Sequence, residues 1–239
     1  MEAYDRMDQT MPASVVLPSG TARIAWRRSS RARRVSLRIH PADGSVIVTL
    51  PPRATYKAGM ALLMDHADWV ADRLAALPQA IRLEPGAHVP IADRPHLIQH
   101  APRARGGAWI EDGTLQVSGA PEFIHRRVRD FLRQEARRRL TALAAEKADA
   151  VGIMPRRVVI KDTSSRWGSC APDRTIALSW RLVMAPDFVQ DYVVAHEAAH
   201  LRHMNHGPDF WRTVQLLTPH RLAATAWLKA EGTRLLRIG

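Results

Sequence analysis

The chain has 239 residues, 46% hydrophobic and 24% charged, close to the averages for folded proteins, which excludes wholesale disorder and sets an expectation of one core with at most a smaller second layer. Its formal net charge of +12 comes almost entirely from arginine; such a field draws nucleic acid, nucleotides or acidic surfaces without conferring specificity, and an arginine-rich proteome of origin accounts for it equally well. Cys170 is the only cysteine, so an intrachain disulfide and an all-cysteine zinc site are excluded; a cytoplasmic location is expected, because residues 1–10, with Glu2, Asp5 and Asp8, do not read as a secretory signal and no apolar run nears the ~20 residues that cross a bilayer.

Residues 1–20 read as an N-terminal tail. From Thr21 to Leu50 apolar residues alternate at Ile24 and Trp26, at Val35, Leu37 and Ile39, and at Val46, Val48 and Leu50. Asp43-Gly44 separates the last two runs, the signature of a hairpin. Lys57 to Leu77 shows helical spacing through Ala61, Met64, Ala67, Trp69 and Leu74. Pro78 to Pro95 is rich in Pro and Gly, and His96 to His100, Ala108 to Glu111 and Leu115 to Ser118 look like further strands. This suggests a β-rich N-terminal sub-domain over 21–120. Pro121 opens a long helical stretch to about Ala150, with Phe123, Val128, Phe131, Leu132, Leu140 and Leu143 on an apolar stripe and arginines at 126, 127, 129, 133, 137, 138 and 139 elsewhere. Arg157 to Lys161 and Thr175 to Ser179 read as strands around a loop from Asp162 to Arg174. Pro186 fits the first turn of a helix, and Arg221 to Arg237 reads as a closing helix. The second sub-domain therefore spans 121–239. No internal repeat is evident.

The chemistry lies in His196-Glu197-Ala198-Ala199-His200. On a helix, side chains at i and i+4 share a face, so the two imidazoles can grip one ion. A catalytic zinc usually takes three protein ligands and keeps one position open. Candidates for the third ligand are His203, His206, His220 and Glu231. His203 would lie about 10 Å along a continuous helix from His196, too far to converge. If the helix ends near His203, Asn205 can turn the chain in the left-handed conformation and Gly207-Pro208 prevents its resumption, which brings His206 back. The spacing from His200 to His206 also fits the extended pattern H-E-x-x-H-x-x-G-x-x-H, with His203 at the glycine position. Glu197 is the expected general base, taking a proton from the water that the ion activates.

Beyond these residues the sequence resembles the YgjP-like metallopeptidase family, more distantly related to SprT-type and Wss-type zinc proteases. The likeness rests on Arg31-Ala32-Arg33-Arg34-Val35-Ser36-Leu37-Arg38-Ile39, on Ser165-Arg166-Trp167-Gly168-Ser169-Cys170, on Trp180-Arg181-Leu182 with Pro186, and on Tyr192 to Glu197, His200-Leu201, Asn205-His206-Gly207 and Phe210-Trp211. It covers about residues 23 to 217. It implies metal ligands at His196, His200 and His206 and the acid at Glu197. Ala198 stands where the family commonly has leucine, and Gly207 where it commonly has serine.

The expected architecture is α+β: a zincin-like metallopeptidase domain, its active-site helix against a mixed sheet, with the β-rich sub-domain before it. One zinc ion per chain is expected, with a protein or peptide held along an edge strand around Thr175 to Ser179. Arg166 could stabilise an oxyanion or bind an anionic group, or else cap loop carbonyls. Tyr192 could donate a hydrogen bond into the cleft, whereas Trp167, Phe210 and Trp211 read as packing. Cys170 reads as a small buried side chain rather than a ligand or nucleophile. The arginines at 27–38 and along 126–139 leave a nucleic-acid or nucleotide surface open, while no membrane partner is indicated. Two other functions remain open at this level: a metal-dependent nucleoside triphosphate pyrophosphatase, and a non-catalytic basic module with a structural zinc. Oligomeric state is not legible.

Overall fold

The computed structural model describes residues 12–18, 20–163 and 166–239. Most of the expected tail, and Ser165, lie outside the described residues. The chain divides into two compact units, the first ending at Pro78 and the second running Gln79–Gly239. Together the described residues form six α-helices and three mixed sheets, an α+β architecture.

In the first unit, β1 (Ser14–Leu17), β2 (Gly20–Arg28), β3 (Ser36–Ile39) and β4 (Val46–Leu50) form a sheet in the order β1-β2-β4-β3. β3 and β4 are the predicted antiparallel hairpin, and β2 runs parallel to β4. Alternation sends Ala22, Ile24, Val46, Val48 and Leu50 to one face, where they pack on Leu63 and Val70. Those two residues belong to α1 (Tyr56–Asp65) and α2 (Ala67–Ala75). The single helix predicted over 57–77 breaks at His66, whose backbone leaves helical geometry and whose ring Nδ1 lies 3.0 Å from the Leu62 carbonyl. β1 falls within the segment read as tail. Four residues are too few for alternation to announce a strand.

The second unit starts with β5 (His88–Ile91), β6 (Arg94–Ala101), β7 (Ala108–Glu111) and β8 (Thr114–Ser118), in the order β5-β6-β8-β7. β5 hides in the Pro/Gly-rich segment because Pro90 argues against a strand; it is tolerated on the outer position of the sheet. The inward residues Val89, Ile91, Ile98, Leu115 and Val117 join one core with α3 (Ile124–Val151). This sheet therefore belongs with the later helices, and the compact units part at 78 instead of at the expected 120.

The two four-stranded sheets share one topology: an antiparallel first pair, a parallel central pair and an antiparallel last pair. Asp43-Gly44-Ser45-Val46-Ile47-Val48-Thr49 in one corresponds to Asp112-Gly113-Thr114-Leu115-Gln116-Val117-Ser118 in the other, and each is followed by proline and helix. The chain thus contains an internal structural repeat, contrary to the expectation of none. Its sequence trace is confined to the turn and one strand.

Along α3 the buried residues Ile124, Val128, Leu132, Ala136, Leu140, Ala144 and Ala148 recur every fourth position. Four residues advance about 400° around a helix of 3.6 residues per turn, so this stripe winds. Its first turns meet β7 and β8, and further contacts are with the 3-10 helix Trp180–Met184, β9 (Arg157–Lys161) and α4 (Asp187–Ala199). The alanines let α4 approach closely. Leu140 is fully buried; Leu140→Ala is expected to cost about 2–5 kcal/mol, read from the midpoint of denaturant unfolding.

The third sheet holds β9, β10 (Gly168–Cys170) and β11 (Thr175–Ser179) in the order β10-β11-β9, with α5 (Pro208–Leu217) and α6 (Arg221–Leu236) closing the chain. β11 is central and every residue of it is buried. The edge-strand role expected for 175–179 is thereby corrected: β10 and β9 are the edges. Pairing order is non-local, which is why a buried apolar run gave no hint of it. No helix among the described residues is long and apolar enough to cross a membrane.

Candidate metal centre

Pro186 occupies the cap position immediately before α4, one residue earlier than expected. The helix is anchored through Val189, Val193, Val194, Ala195, Ala198 and Ala199, all buried, and the Gln190 amide donates to the Ala185 carbonyl at 2.8 Å. His196 and Glu197 lie in its last turn, and His200 caps it with helical backbone angles. The amides of Leu201, Arg202 and His203 then bond back to the carbonyls of Ala198 and Ala199, which tightens the turn. Among the described residues, the non-glycine positions with positive φ are Ala92, Asp93, Asp112 and Arg174. Asn205 is not among them, so the expected left-handed turn there is absent. Hydrogen bonding at 201–203 and the start of α5 at Pro208 reverse the chain instead.

The reversal brings His196, His200 and His206 together, one ring nitrogen of each lying within 4.8 Å of the others. Nε2 of His196 and Nε2 of His206 are 3.1 Å apart. Two nitrogens bound tetrahedrally at 2.0–2.1 Å to one ion would stand about 3.3 Å apart, so the cluster has the scale of a metal site. His200 presents its Nδ1 at 3.0 Å to the His203 carbonyl; in the tautomer that donates there, Nε2 is the free acceptor. His203 therefore supports His200 through its backbone and does not join the cluster. Glu231 pairs with Arg234 at 2.9 Å and the His220 ring sits 6.0 Å from Phe188; both are outside the group.

Burial lowers the His196 imidazole to about 4, helped by the charges of His200, His206 and Arg221. Burial also lowers His200. Both effects favour neutral imidazole, the form that binds metal. Phe210, fully buried, packs its ring 4.5 Å from His200, 4.6 Å from His206 and 5.0 Å from His196. The expected packing role is what the structure displays, with one ring against all three imidazoles.

Glu197 is 6% exposed. Burial pushes its carboxyl up to about 7, against the opposing charge of Arg166 and a hydrogen bond from the Cys170 amide. A Cβ built on Gly168 would lie 2.6 Å from Glu197 Cγ and Oε1. Glycine in β10 thus marks the close approach of strand to helix. That significance was legible only in part, since 162–174 reads as a loop.

Arg166 is exposed and among the described residues its side chain bonds no loop carbonyl; the Thr163 hydroxyl donates to the Arg166 carbonyl at 2.6 Å. Arg166 lines an open cleft together with Lys161, Thr163, Trp167, Gly168 and Ser169. Tyr192 places its ring 6.0 Å from His196. Burial, with Glu197 and Asp173, pushes the Cys170 thiol up to about 11, so it is protonated at neutral pH and lies outside the histidine group. Arg221 has no sequence signal, yet its guanidinium stacks 3.7 Å over the Trp211 ring, and Trp211 lies 5.7 Å from His206.

Asp162, at the end of β9, holds the start of this loop by ion pairs to the buried Arg181 and, at 3.1 Å, to Arg133. Burial alone would raise its carboxyl, but the Arg181 hydrogen bond and charge outweigh it and hold the group below the usual range. A depressed folded value contributes stability above the unfolded carboxylate pKa of about 3.9 and loses it as pH falls through the folded value. Asp162→Asn is therefore expected to lower the urea midpoint at pH 7, with the deficit vanishing in acid.

Residues 33–231 match the family described as YgjP-like, metallopeptidase domain. Among solved structures, the crystal structure of the metallopeptidase zymogen of Pyrococcus abyssi abylysin matches at 20% identity, covering 38% of this chain and 93% of that chain with a TM-score of 0.35. No curated protein matches the chain.

Proposed function

Because the chain belongs to the YgjP-like metallopeptidase family, we propose that it is a zinc-dependent peptidase with a zincin-like catalytic region, in which His196, His200 and His206 hold one ion and Glu197 is the general base. The observation that carries this reading is the convergence of three imidazole nitrogens within 4.8 Å of one another beside a buried carboxylate. Three neutral imidazoles and an open position are the donor set of catalytic zinc, and softer or harder metals prefer other ligands. When bound, the ion acts as a Lewis acid that polarises a carbonyl oxygen and acidifies a water.

The chain's own residues do the rest. Glu197 accepts a proton from the attacking water and returns it to the leaving amine, work suited to a carboxyl whose pKa burial lifts towards neutrality. The Cys170 amide holds that carboxylate in place. An extended peptide adds to the free edge of β10, the strand that touches Glu197, so the substrate-strand role moves from β11 to β10. Arg166 flanks that edge and Tyr192 approaches His196 from the preceding turn. Either can meet the oxygen on which charge develops.

Zinc-loaded protein is to be incubated with an unfolded protein substrate and, separately, with a panel of nucleoside triphosphates. Peptide cleavage that requires metal is the expected result. Pyrophosphate release without peptide cleavage would overturn the reading in favour of nucleotide hydrolysis.

A further inference from the structure

The two arginine groups of the sequence have different fates in the fold. On α3, Arg127 donates to the Ser118 carbonyl and hydroxyl. Arg133 pairs with Asp162 at 3.1 Å, and Arg138 and Arg139 both pair with Glu135. Arg126 stacks 5.3 Å over Phe123. On that helix five of the seven arginines between 126 and 139 are engaged within the fold.

In the first unit the opposite holds. α1 and α2 cover the face bearing Ile24, Val46 and Val48, and the other face presents Arg23, Ala25 and Arg27 from β2, Ile47 and Thr49 from β4, and Ser36 and Arg38 from β3. The arginines there are exposed. Arg31, Arg33 and Arg34 follow in the connection to β3, also exposed. Arg23 shares Asp43 at 3.8 Å and Arg28 bonds the carbonyls of Pro51, Pro52 and Ala54. Arg27, Arg31, Arg33, Arg34 and Arg38 have no ion pair or side-chain hydrogen bond with any described residue. Asp43 is the only acidic residue between 12 and 55. Among the described residues of this unit the other exposed acids, Asp65, Asp68 and Asp72, belong to the helices.

The internal repeat shows that the sheet does not need these arginines. By register, Arg23, Arg27 and Arg38 correspond to Leu97, Ala101 and Trp109 in the β5–β8 sheet, and there Gln99 and Gln116 bond across the same row as Ala25 and Ile47. In the second sheet the matching strand positions carry no arginine, although its β6–β7 connection carries the exposed Arg103 and Arg105. The charge is therefore an addition to the scaffold.

We infer that the open face of the β1–β4 sheet is a binding surface for the phosphate backbone of duplex nucleic acid. Strands stand about 4.8 Å apart and every second residue of a strand about 6.8 Å, so Arg27 on β2 and Arg38 on β3, two strands and two residues apart in register, have Cα atoms roughly 12 Å apart across Ala25, Ile47, Thr49 and Ser36. Arginine grips phosphate through paired N–H donors. The sheet positions of the face carry no aromatic ring, since Trp26 turns to the helix side where it packs on Tyr56 at 4.7 Å. Single strands, which bind through base stacking, find nothing to stack on. Binding is sequence-independent and does not use the histidine cluster.

The test is a fluorescence titration of the full-length protein with a labelled duplex DNA of about 25 base pairs and mixed sequence, repeated across salt concentrations. Wild type is expected to show log K falling against log salt with a slope of about −3 to −5. Arg27→Gln, Arg31→Gln, Arg34→Gln and Arg38→Gln combined should weaken binding at least 30-fold near 0.1 M salt and flatten the slope by about 3, while lysine at the same four positions keeps the slope. Arg126→Gln with Arg137→Gln on α3 should stay within about 2-fold of wild type. Peptide hydrolysis and the thermal midpoint of the four-site variant should be unchanged, which separates this surface from the catalytic reading. Wild-type binding by the four-site glutamine variant would overturn the inference. So would equal loss in the α3 variant, tighter binding of single strands than of duplex, or competition by polyglutamate as strong as by DNA, which would make the partner an acidic protein.

Discussion

Glu197→Gln is expected to keep the metal and lose between 10²- and 10⁴-fold in kcat, the range that a positioned general base supplies. The amide matches the carboxylate in size, so the 6% exposed pocket and the contact with β10 persist. What disappears is the acceptor for the proton. The Cys170 amide, which now bonds the carboxylate, still finds an oxygen on the glutamine. Metal content by mass spectrometry and steady-state hydrolysis of an unfolded substrate read the two halves of this prediction independently. Undiminished turnover would remove Glu197 from the chemistry.

The second large effect is expected from a methyl group. In Gly168→Ala the new Cβ meets Glu197 Cγ and Oε1 at 2.6 Å, closer than real contacts allow. β10 is pinned to β11 through Gly168↔Leu178 and Ser169↔Ala177, and Glu197 is enclosed, so the carboxylate has to move. Displacement of about 1 Å at a reacting group can cost about 10²-fold, and that is the loss expected in kcat, with metal retained and overpacking costing about 1–3 kcal/mol. Gly207→Ala supplies the contrast. It lies beside His206, yet its φ is −75 and an added Cβ meets nothing within 4 Å. Hydrolysis near the wild-type rate is expected there, and equal damage by both substitutions would show that glycine near the site matters for backbone freedom, not for clearance.

How much of this was visible beforehand follows from the range of the interactions involved. The His196–His200 pair is local: a helix alone puts i and i+4 together. His206 could be reached by reasoning because Pro208 forbids a continued helix, although the turn is made by amides at 201–203 rather than by Asn205. Strand order was not reachable. β10 is three residues long, and which of β9, β10 and β11 lies in the middle is decided by pairing across non-adjacent segments. The same holds for the boundary at 78, which depends on Leu115 and Val117 packing with Val128 and Leu132 rather than on any change in composition. The internal repeat escaped because only the Asp-Gly turn and one strand retain the likeness. Arg221 comes beside Trp211 through the placement of α5 and α6, with nothing in their spacing to announce it.

On the proposed reading three histidines, and no fourth protein group, hold one catalytic ion. The most direct measurement is metal stoichiometry and coordination in the purified protein, by elemental analysis with X-ray absorption, for wild type and for His196→Ala, His200→Ala, His206→Ala and Glu231→Ala. One zinc per chain with three imidazole ligands and a water-derived oxygen is expected, lost or greatly weakened in each histidine variant and unchanged in Glu231→Ala. Full retention of metal by His206→Ala, or a fourth ligand from the protein, would contradict the account.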